Sequence, residues 1–473
     1  MHLGKKTKIV CTIGPKTESA EQIEKLLKAG MNVIRMNFSH GDFAEHQRKV
    51  DSYKKASAKT GLKAALLQDL SGPKFRIGDF ETPTVMLKAG EYITLTCDKL
   101  EKGTKDRVSM NYPTLHEELV VGNIVLVDDG KKRFEVVEIK GKEIKCKILV
   151  GGETKGRRSV NLPGANLKIR ALTEKDKKDI AFGLKNKVDF FAFSFVKTAS
   201  EVQELRDMLN KAKSRGKIIS KIETPEAITN IDEIIEASDA SMIGRGDLAV
   251  EVGYEAVPGY QKMIIEKCNH AGKPVITATQ MLESMIKNPV PTRAEISDIA
   301  NAIYDGTDAI MLSEETTLGD YAIEAVQMMT KVATKVENEL RQKDIMFRIG
   351  INEHSIGQSI CESAVFTADN IHAEFIVALS EYGYAGRMLS RYKGQDPLIL
   401  MTPDPITANQ SCLNYGTYAR IVPKAKTFEE AWKNAKAILI KEKLVKKGDK
   451  IVVVSGSPFK KTEESNTLIV ETI

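Results

Sequence analysis

A (β/α)8 barrel, broken by an inserted small β-barrel lid domain and followed by an open α/β domain, is the fold that the sequence predicts. Three observations carry it. Apolar strand runs and helical segments alternate at both ends of residues 1–341 and supply about eight β/α units. Between them the period changes to short strands and frequent turns. Beyond residue 353 a second, separate alternation begins. Periodicity alone does not separate the barrel from a long open α/β sheet.

TKIVCTIGP is a β-branched run ended by Gly14-Pro15. A helix over 17–29 follows, with Ile23, Leu26 and Leu27 on one face and Gly30 as its stop. NVIRMNF and AALLQDL are the next two strands, with a polar helix between them. From Pro73 to Lys168 the runs TVML, EYITLTC, NIVLVDD, RFEVVEI and EIKCKILV predict a small all-β insertion. Alternation resumes at LTEKDKKDIAFGL and continues through FFAFSF, KIISKIE, ASMIG, PVITAT and DAIMLS, closed by a long helix over 323–341. EFIVALS, PLILMTP, YARIVP, KIVVVSG and TLIVET predict the last sheet. The expected domains are 1–72 and 169–341 (the barrel), 73–168 (the lid) and 342–473 (the α/β domain).

Composition narrows the class. The 473 residues are 42% hydrophobic and 28% charged, ordinary for a globular chain of several domains. A net charge of +6, spread along the chain, is a solvated surface or a basic pocket for phosphorylated substrates. No zinc, RNA-recognition or basic-zipper pattern points to nucleic acid. The six cysteines are far apart with no CxxC pair, which fits reduced thiols and a cytoplasmic location. No signal peptide is expected, and the apolar runs are too short to span a bilayer.

In a barrel of this kind chemistry gathers where strands end. The second strand delivers Arg35, Asn37, Ser39 and His40, and the third Asp69. The fifth delivers Lys221 and Glu223, the sixth Arg245 and Asp247, and the seventh Thr277, Thr279 and Gln280. Lys221 and Glu223, two apart on a strand, face one side. Alone they are as much a structural ion pair as a charged site. Glu223 and Asp247 on successive strands shift the balance, because two close carboxylates repel unless a cation lies between them. Oxygen-only ligands favour Mg²⁺ or Mn²⁺ over zinc. The Gly244-Arg245-Gly246-Asp247-Leu248 turn into a short helix offers N–H groups to an anion, though most such turns are only turns. His40 is equally a loop histidine or a nucleotide contact, Trp432 is helix packing, and Met281, Leu282 and Met285 are core.

KTKIVCTIGP, NVIRMNFSHG, QDLSGPKFR, NLPG at 161–164, ISKIET, IGRGDLAVE, KPVITATQMLESMI and PTRAEISDIANAIYDGTDAIML resemble the pyruvate kinases. The resemblance runs through the barrel and both edges of the insertion and is looser in the last third. It implies an enzyme that moves a phosphoryl group from phosphoenolpyruvate to ADP. By that resemblance Glu223 and Asp247 hold Mg²⁺ or Mn²⁺, and Lys221 stabilises the phosphoryl group in flight and the enolate. Arg35 clamps the phosphate, and amides at Gly246 and Asp247 with the Thr279 hydroxyl hold the carboxylate. Thr279 also lies on the proton path. Arg35, His40, Arg76 and Arg158 bind the nucleotide. A homotetramer is implied too. The competing readings are a catalytically silent metabolite-binding relative and a metal-dependent lyase of the same barrel class.

The chain departs from the family at several points. Asn37, Ser39 and Asp69 match a K⁺ site, but the Thr that follows is Leu70, and the family's Glu is Lys74, giving GPK. Relatives with Lys there work without K⁺, so K⁺ is not expected to be required; the alternative is that Lys74 is an exposed loop lysine. The loop matching the family's sugar-phosphate cradle is Ser380-Glu381-Tyr382-Gly383-Tyr384-Ala385, and the final loop carries Glu463 and Glu464. Activation by fructose 1,6-bisphosphate is therefore not expected, which leaves another phosphorylated effector or none. Gly244 and Ala249 replace Ala and Gly, and Glu314 replaces a small residue as a surface change or an altered subunit contact.

Overall fold

The computed structural model describes residues 4–165, 167–340, 355–456 and 465–473. Glu463, Glu464 and the expected boundary at 341/342 lie outside the described residues.

Eight parallel strands close into a barrel. They are β1 (Lys8–Thr12), β2 (Val33–Asn37), β3 (Ala65–Asp69), β13 (Phe190–Phe193), β14 (Lys217–Ile222), β15 (Ala240–Gly244), β16 (Val275–Ala278) and β17 (Ala309–Leu312). Between β3 and β13 the chain leaves to form β4 (Phe75–Arg76), β5 (Val85–Leu87), β6 (Tyr92–Thr96), β7 (Arg107–Ser109), β8 (Ile124–Val127), β9 (Lys132–Lys140), β10 (Glu143–Val150), β11 (Gly152–Thr154) and β12 (Ser159–Asn161). Seven of these make one sheet, β4-β12-β8-β9-β10-β6-β7. Its two outer strands meet at one antiparallel bridge, Ile77 to Met110, so the sheet curls around its own apolar core.

Helix starts follow local chemistry. The first helix begins at Ala20, later than residue 17, because Ser19 caps it by accepting from Gln22 N–H. Thr17 instead donates its hydroxyl to the Thr316 carbonyl at 2.5 Å. The Pro291–Leu312 run owes part of its pattern to a capping box, in which Thr292 and Glu295 satisfy each other's N–H groups at the start of the helix Arg293–Asp305. The long helix of this half spans Ala322–Glu339.

The last domain is a five-stranded sheet, β20 (Thr417–Ile421), β19 (Leu398–Thr402), β18 (Phe375–Leu379), β21 (Lys450–Ser455) and β22 (Thr467–Thr472), parallel except for β22. Apolar clusters cover both of its faces, one of them containing Trp432. This domain closes the N-terminal end of the barrel. Leu413 joins the cluster that fills the barrel interior. Lys393 pairs with Asp308 at 2.7 Å, both side chains almost fully buried, and Lys8 Nζ donates to the Thr417 carbonyl. The opposite, C-terminal face is left to the lid and to chemistry.

At this sealed end Asp189 accepts from Leu66 N–H at 2.8 Å. Burial pushes its carboxyl up to about 7, against the pull of that N–H and of Asn409. Below about pH 4 the group is protonated in both folded and unfolded chains. Between there and about 7 the folded chain keeps a proton that the unfolded chain releases, so stability falls as pH rises, and the penalty is constant above. Asp189→Asn is expected to raise the melting temperature more at pH 8 than at pH 5. The penalty removed at pH 8 is on the order of a few kcal/mol. Thermal melts at the two pH values check this.

Candidate active site

The strand ends of the C-terminal face converge on one charged cluster. Arg35, within β2, forks onto Asp69, ending β3: Nε and Nη2 both lie 2.6 Å from Oδ2. Its Nη1 donates to Thr12 Oγ1 on β1 at 2.8 Å. Lys221 on β14 reaches Glu223 Oε1 at 2.9 Å and Asp69 Oδ1 at 3.4 Å, and donates to Ser194 Oγ at 2.8 Å. Burial works to lower the pKa of Lys221, but the carboxylates of Asp69 and then Glu223 outweigh it, so the ammonium is held above its usual value. Burial likewise works to raise Asp69, and Lys221 and Arg35 hold it below the usual carboxylate range. A protonated Lys and an Arg are thus fixed side by side, each braced by a carboxylate.

Ser194 was legible but is absent from the strand-end residues drawn from the sequence. It follows β13, the fourth barrel strand, and its hydroxyl also donates to the Leu70 carbonyl at 2.7 Å. Phe195 next to it has φ 55°, and its N–H donates to Glu223 Oε2 at 3.0 Å. Glu223 is therefore tied at both oxygens and almost fully buried. A Cβ on residue 244 would stand 2.6 Å from Glu223 Cγ, so Gly244 is what leaves Glu223 this position.

Asp247 lies in the first turn of the helix Arg245–Val252. Burial, and then the charge of Glu223, push its carboxyl up to about 6, against the pull of Lys221 and Lys74. Two carboxylates that repel in this way fit a divalent cation with oxygen ligands. Among the described residues no three His, Cys, Asp or Glu side chains gather as a metal cage. An ion here would complete its shell from substrate and water, as Mg²⁺ does.

Thr279 and Gln280 follow β16 with φ of 73° and 54°. Thr279 Oγ1 accepts from Gly246 N–H at 2.9 Å and donates to the Ala278 carbonyl. Arg245 braces this corner, bonding the Ala278 and Thr279 carbonyls and pairing with Asp298 at 2.8 Å. It holds backbone and does not face the cluster. Thr277 is buried against Thr307, inside the wall. Met281, Leu282 and Met285 are core.

His40, Lys74, Arg76 and Arg158 line a cavity of about 370 Å³ between lid and barrel, together with Asp128, Asp129, Asp247 and Glu314. Arg35 is not on its wall, and neither is Asp69, to which it is paired. Burial, and then Lys74 and Arg76, lower the pKa of His40. The lid touches the barrel where Asn161 donates to Glu251 Oε1 at 3.0 Å.

The oxygens of the residues matching a K⁺ site are largely engaged by protein donors. Asn37 Oδ1 accepts from Ser39 N–H at 3.0 Å, the Leu70 carbonyl accepts from Ser194, and Asp69 Oδ2 is taken by Arg35. Lys74 is exposed, as the loop-lysine alternative expects, and makes no ion pair among the described residues, although it lines the cavity. The cleft walls and then Lys221 lower its pKa, while Asp247, Asp69 and Glu223 draw the charge the other way. In the last domain Glu381 pairs with Lys424 at 2.7 Å, and Ser380 Oγ accepts from Gly383 N–H.

A barrel closed at one end, with paired cations and paired carboxylates at the other beneath a β domain, is an arrangement suited to moving a phosphoryl group. Family models agree: the pyruvate kinase barrel domain matches residues 4–326, and the pyruvate kinase alpha/beta domain matches 358–471. The chain is 42% identical to the pyruvate kinase of Geobacillus stearothermophilus over 473 residues, 99% of this chain and 80% of that one. It is 43% identical to the pyruvate kinase of Staphylococcus epidermidis over 458 residues, 96% of this chain and 78% of that one. The crystal structure of a pyruvate kinase from Cryptosporidium parvum superposes with a TM-score of 0.94 at 35% identity, covering 99% of this chain and 96% of that one. The chain belongs to the pyruvate kinase family. No helix among the described residues is long and apolar enough to cross a membrane.

Proposed function

We propose that the chain transfers the phosphoryl group of phosphoenolpyruvate to ADP at this cluster, giving pyruvate and ATP. The bond from phosphorus to the enol oxygen breaks, a bond to the terminal ADP oxygen forms, and the enolate takes a proton at carbon. The observation that carries the reading is Lys221, kept charged between Asp69, Glu223 and Ser194 with Arg35 fixed alongside. Phosphoryl transfer asks the protein mainly for positioning and for positive charge around the moving group. Arg35 and Lys221 supply both, and Lys221 then faces the enolate.

Glu223 and Asp247 would hold Mg²⁺ or Mn²⁺, which when bound relieves their mutual repulsion and draws charge from the phosphoryl oxygens. The amides of Gly246 and Asp247, with Thr279, receive the substrate carboxylate. Gly246 N–H, which donates to Thr279 Oγ1, then turns to the ligand. Thr279 stands on the path of the proton. His40, Arg76 and Arg158 on the cavity wall take the nucleotide phosphates. The lid, hinged near Pro73 and Lys168, excludes water from the transfer.

Two finer points follow from this chain's own residues. Lys74 supplies the positive charge that a K⁺ ion would bring, and the oxygens left for such an ion are mostly engaged, so K⁺ is not required. Glu381 takes up the Lys424 ammonium in the loop after β18, so a sugar bisphosphate finds an occupied cation, and fructose 1,6-bisphosphate does not activate. A cytoplasmic homotetramer fits the family. The test is pyruvate release from phosphoenolpyruvate, ADP and Mg²⁺ by the folded protein. Absence of pyruvate and ATP would contradict the proposal.

A further inference from the structure

Ser313-Glu314-Glu315-Thr316 follows β17, the eighth barrel strand, and its two glutamates part company. Glu315 is buried, and its oxygens accept N–H groups from Ser313 at 2.7 Å and Leu282 at 3.1 Å. Thr316 Oγ1 donates to the Thr12 carbonyl at 2.9 Å, and Thr17 donates to the Thr316 carbonyl from the other side. The turn is therefore pinned to β1 and to the segment after β16. Glu314 stands on this pinned turn with its side chain exposed, on the wall of the cavity that also holds His40, Lys74, Arg76 and Arg158. Among the described residues its carboxylate has no ion-pair partner, a condition it shares with Asp129 and Glu226 on the same wall, whereas Asp128 there is paired with Lys132. Glu314 is close enough for its charge to act on His40.

We propose that Glu314 tunes nucleotide affinity: its carboxylate opposes the polyphosphate of ADP and ATP and so limits how tightly the cavity holds them. This rests on the proposed phosphoryl transfer to ADP. The neighbouring cations attract a ligand of several negative charges, and a fixed like charge on the same wall subtracts from that attraction. Being exposed, it acts through solvent, so its effect is moderate and screened by salt. Phosphoenolpyruvate, placed deeper between Arg35, Lys221 and Thr279, feels it less. The physiological consequence is easier release of ATP, the product that bears the larger charge.

The test is Glu314→Gln, which removes the charge at nearly constant volume on an exposed position. Binding of ADP is measured by calorimetry at low and high ionic strength, alongside KM for each substrate and kcat. The expected result is ADP bound roughly two- to fivefold more tightly at low salt, a gap that narrows at 0.3 M salt or so. KM for ADP falls by a similar factor, and KM for phosphoenolpyruvate does not change. Glu314→Asp, which keeps the charge, behaves as the parent. Weaker ADP binding in Glu314→Gln would overturn the proposal, because it would make the carboxylate a contact to the nucleotide or its metal. Unchanged ADP binding at low salt would overturn it as well. Failure of the parent enzyme to bind ADP at all would instead strike the nucleotide assignment of the whole cavity.

Discussion

Lys221→Met is expected to lower kcat by on the order of 10³-fold while the protein still folds and still binds a divalent ion. The ammonium is the central positive charge of the cluster, within 3.4 Å of Asp69 and 2.9 Å of Glu223. Its removal takes away stabilisation of the phosphoryl group in transit and of the enolate, charges that develop during the reaction. Asp69 keeps Arg35, and Glu223 keeps the Phe195 N–H, so neither carboxylate is stranded without a partner. Glu223 and Asp247 remain to hold the cation. Turnover measured by a coupled assay, with Mn²⁺ binding followed by electron paramagnetic resonance, separates the two effects. Loss of turnover with Mn²⁺ affinity retained is the expected pair. Turnover within tenfold of the parent would remove Lys221 from the chemistry.

Lys74→Glu carries the second large effect. It changes the charge at the mouth of the cluster by two in a place already flanked by Asp69, Asp247 and Glu223. Without K⁺, activity is expected to fall by about tenfold or more, as an added like charge of this kind costs roughly 1–2 kcal/mol. Added K⁺ is expected to restore part of it, because the ion brings back positive charge that the substitution removes. Undiminished activity of Lys74→Glu without K⁺ would make Lys74 an ordinary loop lysine. Rates in K⁺ and in tetramethylammonium salts check this directly.

The barrel was legible because each of its strands is a short apolar run that ends in or is followed closely by polar residues, and the helices between carry their own start signals, as Thr292-x-x-Glu295 does. The lid's longer strands were legible for the same reason. Its short β4, β7, β11 and β12 were not, since two or three residues carry no period and, unlike β5 with its apolar Val85-Met86-Leu87, these are largely polar. Residues at strand ends pointed to the Arg35, Asp69, Lys221, Glu223 and Asp247 cluster. Ser194 obeys the same rule and was still passed over, because one hydroxyl after FFAF carries no charge to attract notice. Arg245 shows the opposite error: it stands at a strand end, yet its guanidinium is spent on carbonyls and Asp298. Gly244 reads as a mere departure in the sequence and acquires a reason only in three dimensions, where Glu223 lies against it. Glu314 is similar, since nothing in its local sequence says that Glu315 turns inward and leaves it on the cavity wall.

The measurement that tests the central claim most directly is pyruvate formation from phosphoenolpyruvate and ADP with Mg²⁺, at matched ionic strength in a K⁺ salt and in a tetraalkylammonium salt. Equal rates in the two salts are predicted, because Lys74 brings the charge that the ion would supply. Activity confined to the K⁺ salt would contradict that role for Lys74, and no activity in either salt would contradict phosphoryl transfer at this site.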